Sequence, residues 1–226
     1  MEKEYEVTVL MPCLNEAENI CECISEADLC LKKNGINGEI LISDNGSADD
    51  SVKLAQGLGA RVIHCENKGY GNALRFGIKN AFGKYIIMGD CDGTYDFSEL
   101  MPYIEDLRKG ISLVMGDRLN GKIEKGAMPF SHRYLGVPFL SMLARCRFKT
   151  DIHDFHCGLR GINKADFDKL NLDSEGMEFA SEMIGRAMRA GYSYTQHPAS
   201  LRKRHGKSHL HAFRDGMRHI HEIFSI

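Results

Sequence analysis

The sequence predicts an α/β fold, a mostly parallel sheet with helices on both faces, and three features predict it. Short apolar, β-branched runs recur; helix-length segments separate them; polar turn and cap residues mark each change, as in a parallel sheet whose strands are joined through helices. Tyr5 to Met11 alternates, is β-branched and ends at Pro12, so it reads as a first strand. A helix is expected from about Glu16 to Lys33, with acidic residues in its first turn and Gly35 as its stop. Glu39 to Ser43 is a short apolar second strand, Asp44-Asn45-Gly46-Ser47 is turn chemistry, and Ala48 to Leu58 reads as a helix. Arg61 to His64 is the third strand, with a helix from about Asn72 to Ala81. Lys84 to Met88 is the fourth strand, Phe97 to Lys109 a helix, and Ile111 to Gly116 the fifth strand.

The second half is less regular. A Gly- and Lys-containing loop spans Asn120 to Ala127, a mixed apolar and basic helical stretch spans Phe130 to Phe148, and a strand is expected near Gly158 to Ile162. Glu178 to Ala190 carries strong helix formers closed by Gly191, and Tyr192 to His197 suggests a last strand. No internal repeat or low-complexity linker divides the chain, so residues 1–226 are taken as a single domain.

Composition narrows the function classes. Apolar residues make up 43% and charged residues 27%, as in ordinary globular domains, and the net charge of -2 argues against a general nucleic-acid binder. The start, Met1 to Glu6, is polar and acidic with no apolar leader core, so the 8 cysteines are expected to be reduced thiols in a cytoplasmic protein. Cys21, Cys23 and Cys30 lack the second half of a zinc motif and are read as helix cysteines. No run of 18 apolar residues exists to span a membrane.

The polar residues gather at strand ends. Each of the first five strands ends in groups suited to a charged ligand: Asn15 and Glu16, Asp44 and Asn45, Lys68, Asp90 and Asp92, then Asp117 and Arg118. Ligands of open α/β sheets bind beyond the carboxyl ends of strands, so five such ends together describe a site. The sharpest signal is Gly89-Asp90-Cys91-Asp92-Gly93-Thr94. Aspartates at i and i+2 of an extended chain face the same way and can share one hard cation, Mg²⁺ or Mn²⁺. The alternative is a turn with two solvated aspartates. Gly69-Tyr70-Gly71 is either a place where backbone N–H groups approach a phosphate or a tight turn entering a helix. No glycine fingerprint follows the first strand and no P-loop exists, which removes the main support for dehydrogenase and ATPase readings.

The segments MPCLNEAENI, SDNGSADDS, NKGYGNALRFGI, GKYIIMGDCDGTYDFSEL and GDRLNG, followed by DFHCGLRGI, GMEFASEM and RHGKSHL, run in order from residue 11 to about residue 210. Together they resemble the family 2 glycosyltransferases of the GT-A fold, Rossmann-like in its sheet, and among them the polyprenyl-phosphate (dolichyl-phosphate) mannosyl- and glucosyltransferases. The resemblance implies that Pro12, Asn15, Glu16 and Asp44 cradle base and ribose, with Lys68 near the same pocket. It implies that Asp90 and Asp92 hold the metal and the donor diphosphate. Arg118, Arg160, Arg204 and Ser208 are similar to acceptor- and phosphate-binding positions, and Asp90, Asp92 and Arg118 become the catalytic set. Thr94 departs from the glutamine some relatives use as a third metal ligand, and His209 stands where a lysine is common. By the same resemblance residues 1–118 form a nucleotide-sugar-binding half and 119–226 an acceptor-binding half. The implied activity is inverting, Mg²⁺- or Mn²⁺-dependent transfer of a hexose from a UDP-glucose or GDP-mannose type donor to a polyprenyl phosphate at the inner face of a membrane. A soluble saccharide or phosphorylated acceptor, and a non-catalytic nucleotide-sugar-binding module, remain alternatives, and homo-oligomerisation stays open.

The chemistry agrees with that implication. Breaking a bond from sugar to diphosphate develops negative charge on the leaving group, which a cation neutralises. An alcohol acceptor needs a general base, whereas a phosphomonoester with a second pKa of about 6 is already largely dianionic and needs cations to hold it. Arg202-Lys203-Arg204-His205-Gly206-Lys207-Ser208 supplies cations, unless it is merely a solvated basic loop. Glu178 and Glu182, four apart, are candidates for a base toward another acceptor or plain helix surface charge. In Pro129 to Phe148, Phe130, Leu135, Val137, Phe139, Leu140, Met142 and Leu143 among His132, Arg133, Arg145 and Arg147 suit either a helix at a lipid surface or one packed on the core. Many such enzymes continue into transmembrane helices after a segment like Phe213 to Phe224, and the 226 residues end there.

Overall fold

Alternate residues of β1 (Tyr5–Cys13) feed two different cores, one on each face of the sheet, because successive strand side chains point to opposite sides. Val7, Val9 and Met11 pack with α1 (Ile20–Lys33), α2 (Ser51–Gly57) and α4 (Met101–Arg108). Leu10 packs on the other side with α3 (Tyr70–Asn80), α6 (Lys164–Leu170) and α7 (Phe179–Arg189), and α5 (Val137–Phe148) and α8 (Ala212–Ser225) close the same core through Ala144 and Ile223. This computed structural model describes residues 5–204, 206 and 212–226.

The sheet has seven strands. Besides β1 it contains β2 (Gly38–Asp44), β3 (Arg61–His64), β4 (Gly83–Met88), β5 (Leu113–Asp117), β6 (Arg160–Asn163) and β7 (Tyr194–Pro198), in the order β3-β2-β1-β4-β6-β5-β7. Every pairing is parallel except those of β6, which runs antiparallel to both β4 and β5. The mixed α/β architecture expected from the sequence is therefore present. Strands from both chain halves interleave in it, since β6 sits between β4 and β5.

Topology also locates the site. From β1 the chain moves to β2 and β3 on one side, and β4 then pairs on the other side of β1. A crevice opens at such a reversal, beyond the carboxyl ends of the two flanking strands. Here those ends carry Pro12 and Cys13 on one strand and Asp90 to Asp92 just past the other.

Local expectations hold with instructive shifts. β1 runs through Pro12, where pairing with β4 has already stopped at Leu10, so the missing proline N–H interrupts nothing on that side. α1 ends as Gly35 suggests: Gly35, at φ 64°, donates to Lys32 O and Ile36 donates to Leu31 O, a Schellman closure. Its start lies at Ile20 rather than near Glu16, and α2 starts at Ser51 rather than Ala48. The residues between are tied to each other's loops instead of to helix carbonyls. α6 escaped the sequence reading, although Asn163 caps it by accepting from Ala165 N at 3.0 Å.

Candidate active site

Two loops at the ends of β1 and β2 are stitched together before any ligand enters. Asn15 adopts a left-handed backbone (φ 57°), its N–H donates to Ser47 Oγ at 3.0 Å, and its Oδ1 accepts from Ala48 N at 2.8 Å. Glu16 N donates to Ser51 Oγ at 2.8 Å. Asp44 is buried and accepts from Ser47 N, Gly46 N and His64 Nδ1 at 3.0, 3.2 and 3.1 Å. Burial works to raise its pKa, but those hydrogen bonds outweigh it and hold the carboxyl below the ordinary range. Asn45 ties the frame to the next loop, donating to Cys65 O and Asn67 O and accepting from Gly69 N. Lys68 Nζ donates to Asn45 O at 2.6 Å.

Between the ends of β1 and β4 lies a cleft of about 370 Å³. Pro12, Glu16, Lys68, Asp90, Asp92 and Arg204 line it, so the structure brings six of the sequence-predicted site residues together. Asn15 and Asp44 support the frame without lining the cleft, and Asn45 lines it in their place. Ser208 lies outside the described residues, as do His205, Lys207 and His209.

The two aspartates are oriented by different neighbours. Tyr70 Oη donates to Asp90 Oδ1 at 2.8 Å, and a Cβ on Gly158 would come within 2.7 Å of Asp90 Oδ2, so glycine there leaves room for the carboxylate. Asp92 Oδ1 accepts from Thr94 N at 3.1 Å and Thr94 Oγ1 at 2.6 Å. Thr94, the departure from the family pattern, thus aims Asp92. Arg204 bridges Glu16 and Asp92, reaching Asp92 Oδ2 at 3.0 Å. Burial, reinforced by Asp92, pushes Asp90 up to about 6; burial pushes Glu16 up to about 7 against the pull of Arg204.

Such crowded, desolvated carboxylates suit a hard cation, which would favour their ionised forms. Among the described residues no three His, Cys, Asp or Glu side chains converge to cage a metal alone. Two carboxylates completed by diphosphate oxygens and water are the donor set Mg²⁺ ordinarily takes, so Asp90 and Asp92 fit the ion.

Arg118 and Arg160 stand elsewhere than the phosphate-binding expectation put them. Arg118 forms a two-pronged ion pair with fully buried Asp154, Nε at 2.6 Å and Nη2 at 2.9 Å. Arg160, 2% exposed, donates to the carbonyls of Cys157, Ala180 and Phe155 at 2.6, 2.9 and 2.9 Å. Neither lines the cleft. Arg118 still acts on it at a distance, since its charge opposes the burial and the Asp92 charge that raise Asp90. Arg202 also turns away, pairing with Glu26 and Asp96 at 2.6 Å each.

The Gly69-Tyr70-Gly71 turn has a packing reason. A Cβ on Gly69 or Gly71 would come within 2.3 Å of Glu175 O or Ser174 O, so both glycines admit the neighbouring loop. The N–H groups of Gly69 and Asn72 are spent on Asn45 and Glu175 rather than held for a phosphate. Glu182 is likewise neither surface charge nor an available base: it is fully buried, accepts from Asp173 N and Ser174 N, and pairs with Arg186 at 2.8 Å. It anchors the loop that carries Met177 to the cleft wall.

Tyr70, Met177, Arg214, Asp215 and Arg218 complete the cleft and were missed from sequence. The last three belong to α8, whose Arg214 and Arg218 are spaced to share a helix face. Nothing local tells that this face meets the ends of β1 and β4.

α8 is held by a buried imidazole pair. Ser181 Oγ lies 2.9 Å from His219 Nδ1 and 3.4 Å from His156 Nε2, with the rings edge-on at 4.4 Å. Burial pushes His219 down to about 4, with Arg160 adding and Glu178 and Asp215 opposing; burial also pushes His156 well below its usual value. The unfolded chain therefore takes up protons near pH 6.5 that the folded chain refuses until about pH 4. Stability is expected to fall as pH drops through that window, and His219→Gln to flatten the slope, as read from urea midpoints at stepped pH. An unchanged slope in that variant would count against His219 as its source.

Helix α5 buries only Ser141 and Ala144; Val137, Leu140, Leu143 and Phe148 are half-buried, and Phe139 and Met142 are exposed. Phe130 is 74% and Leu135 65% exposed, and Tyr134, Phe139 and Met142 are also exposed, beside the exposed Arg145 and Arg147. Both alternatives raised from sequence are met in part: Ala144 and Phe148 pack on the core, while Phe130, Tyr134, Leu135, Phe139 and Met142 stay exposed. No helix among the described residues is long and apolar enough to cross a membrane.

Comparisons with known proteins agree with this geometry. The low-salt glycan biosynthesis hexosyltransferase Agl6 of Haloferax volcanii is 36% identical over 215 residues, which cover 95% of this chain and 52% of the relative, so the chain spans about half that protein's length. A dolichyl-phosphate hexose transferase of the same organism is 28% identical over 213 residues, covering 93% of this chain and 89% of the relative. Among solved structures, glucosyl-3-phosphoglycerate synthase from Mycobacterium tuberculosis, in complex with Mn²⁺, UDP and glucosyl-3-phosphoglycerate, superposes with a TM-score of 0.75 at 19% identity over 98% of this chain and 79% of that one. That likeness speaks for the fold, which is of the GT-A type. The model of the family "Glycosyl transferase family 2" matches residues 8–170, and with the carboxylate pair at the reversal of the sheet this places the chain in glycosyl transferase family 2.

Proposed function

We propose that this chain transfers a hexose, with inversion, from a nucleoside-diphosphate sugar of the UDP-glucose or GDP-mannose type to the phosphate of a polyprenyl phosphate. The observation that carries the reading is the cleft at the strand reversal, where Asp90 and Asp92 face Glu16, Lys68 and Arg204. Asp90 and Asp92 would hold Mg²⁺ or Mn²⁺, and the ion would neutralise charge developing on the departing diphosphate. Pro12, Glu16 and Lys68 line the donor side, while Asn15 and Asp44 keep its two loops in register. Arg118, matched by Asp154, is a positioning residue that favours the ionised form of Asp90. Residues 1–118 supply most of the donor pocket, and 119–226 the side the acceptor approaches.

A lipid acceptor is favoured by the exposed Phe130, Tyr134 and Leu135 before α5 and Phe139 and Met142 on it, beside Arg145 and Arg147, a pattern suited to lying among anionic head groups at the cytoplasmic side of a membrane. The dolichyl-phosphate hexose transferase relative points the same way. The second reading, a soluble phosphorylated acceptor, is favoured by the fold neighbour solved with phosphoglyceric acid.

The test pairs binding with turnover. UDP- and GDP-sugars are screened by thermal shift with and without Mn²⁺, since a ligand of the folded state raises apparent stability. The stabilising donor is then offered with a polyprenyl phosphate in anionic vesicles. Metal-dependent appearance of a glycosylated lipid is expected. Turnover of water-soluble acceptors alone, with no vesicle association, would favour the second reading, and absence of any turnover would overturn both.

A further inference from the structure

On the proposed function, an acceptor phosphate requires cations, yet three of the arginines first considered for it are already engaged. Arg118 is matched by Asp154, Arg160 by three carbonyls, and Arg204 by Glu16 and Asp92. We infer that Arg214 and Arg218, one turn apart on α8, form an anion subsite that receives a phosphomonoester at the mouth of the cleft. Both line the same cleft as Asp90 and Asp92. Their side chains are 61% and 50% exposed, and the carboxylates that approach them stand off, Asp215 at 3.5 Å and Glu178 at 3.9 Å. The second distance is beyond a hydrogen bond, so N–H donors of Arg218 stay open. A planar guanidinium with open donors binds phosphate oxygens in pairs, and two on one helix face match a dianion.

The same two arginines also border a second, more open hollow, together with Met217, His221 and the carboxylates Glu178 and Glu222. The subsite therefore joins the cleft to the outer surface. Met217 is exposed there, and α8 packs against α5, which carries the exposed Phe139 and Met142. An apolar chain attached to the held phosphate would lie against Met217, while a soluble phosphomonoester would use the same arginines without it.

The subsite rests on the phosphate-acceptor reading, and the experiment separates the two. The intact chain and its Arg214→Gln/Arg218→Gln variant are titrated calorimetrically with inorganic phosphate and with farnesyl phosphate in neutral detergent. Affinity for both probes is expected to fall about tenfold or more, while binding of the nucleotide with Mn²⁺ is unchanged. The Arg214→Lys/Arg218→Lys variant, which keeps the charge, is expected to retain intermediate affinity and guards against a folding defect. Much tighter binding of farnesyl phosphate than of phosphate, lost in the Gln variant, supports the subsite with a lipid source; equal affinities, lost likewise, support it with a soluble source. Wild-type affinity for both probes in the Gln variant overturns it, as does a loss of nucleotide affinity instead. If lipid phosphate is glycosylated with an unchanged acceptor KM in the Gln variant, the subsite falls and the function stands. If phosphate binding is lost in the variant but no lipid is glycosylated by the wild type, the subsite stands and the lipid reading falls.

Discussion

Asp92→Ala is expected to lower transfer by about 10²–10³-fold, the usual cost of removing one preorganised charge partner of a transition state. The effect belongs to the chemical step. Asp92 stands beside Asp90 in the cleft, so its loss would remove one of the two carboxylates proposed to hold a hard cation there. Its other contacts are replaceable: Thr94 can turn to water, and Arg204 keeps Glu16. The fold should therefore survive, with a thermal midpoint near that of the parent. Asp92→Asn keeps an oxygen for Thr94 and removes the charge, so it separates orientation from electrostatics. Steady-state rates across a Mn²⁺ titration check the prediction, with both variants slow and demanding more metal. Full activity in Asp92→Ala would end the metal role assigned to the pair.

Asp154→Ala is expected to destabilise the fold by about 3–5 kcal/mol, because it strands the guanidinium of Arg118 without its counter-charge. Asp154 is fully buried, and its carboxylate accepts from Arg118 Nε, Arg118 Nη2 and His156 N. The cost comes from the unmatched ion rather than from the value of the pair. The double replacement Arg118→Met/Asp154→Leu, which leaves no charge behind, is therefore expected to be less damaging than Asp154→Ala alone. Urea unfolding of the three proteins tests the order. Burial works to raise the Asp154 pKa, but Arg118 outweighs it and holds the carboxyl below the ordinary range. The pair's contribution is thus complete above the unfolded value of about 3.9 and is lost as pH falls through the folded one. A single replacement no worse than the double one would show that Arg118 is not dependent on Asp154.

Both predictions concern residues whose placement was legible to different degrees. Asp90 and Asp92 were readable because their message is local: an apolar strand, then two carboxylates at i and i+2, with alternation putting both on one side. The same holds for the strands of the first half, for Gly35 as a helix stop and for Glu16 and Lys68 at strand ends. Arg118 and Arg160 were readable as cations near strand ends, but not as cations whose donors are already taken. Their partners, Asp154 and the carbonyls of Phe155, Cys157 and Ala180, come from loops whose course no local pattern records.

Periodicity and cap chemistry determined the α/β class, the order of elements in the first half and the acidic heart of the cleft, since these follow from which side of a strand or helix each residue occupies. Tertiary structure decided the rest: the reversed direction of β6, which apolar side chains in and before α5 stay exposed, and the arrival of α8 with Arg214 and Arg218 at the ends of β1 and β4. These depend on contacts between segments far apart in the chain. A single segment records which face it must bury, but not which distant partner covers that face or which charges it meets there.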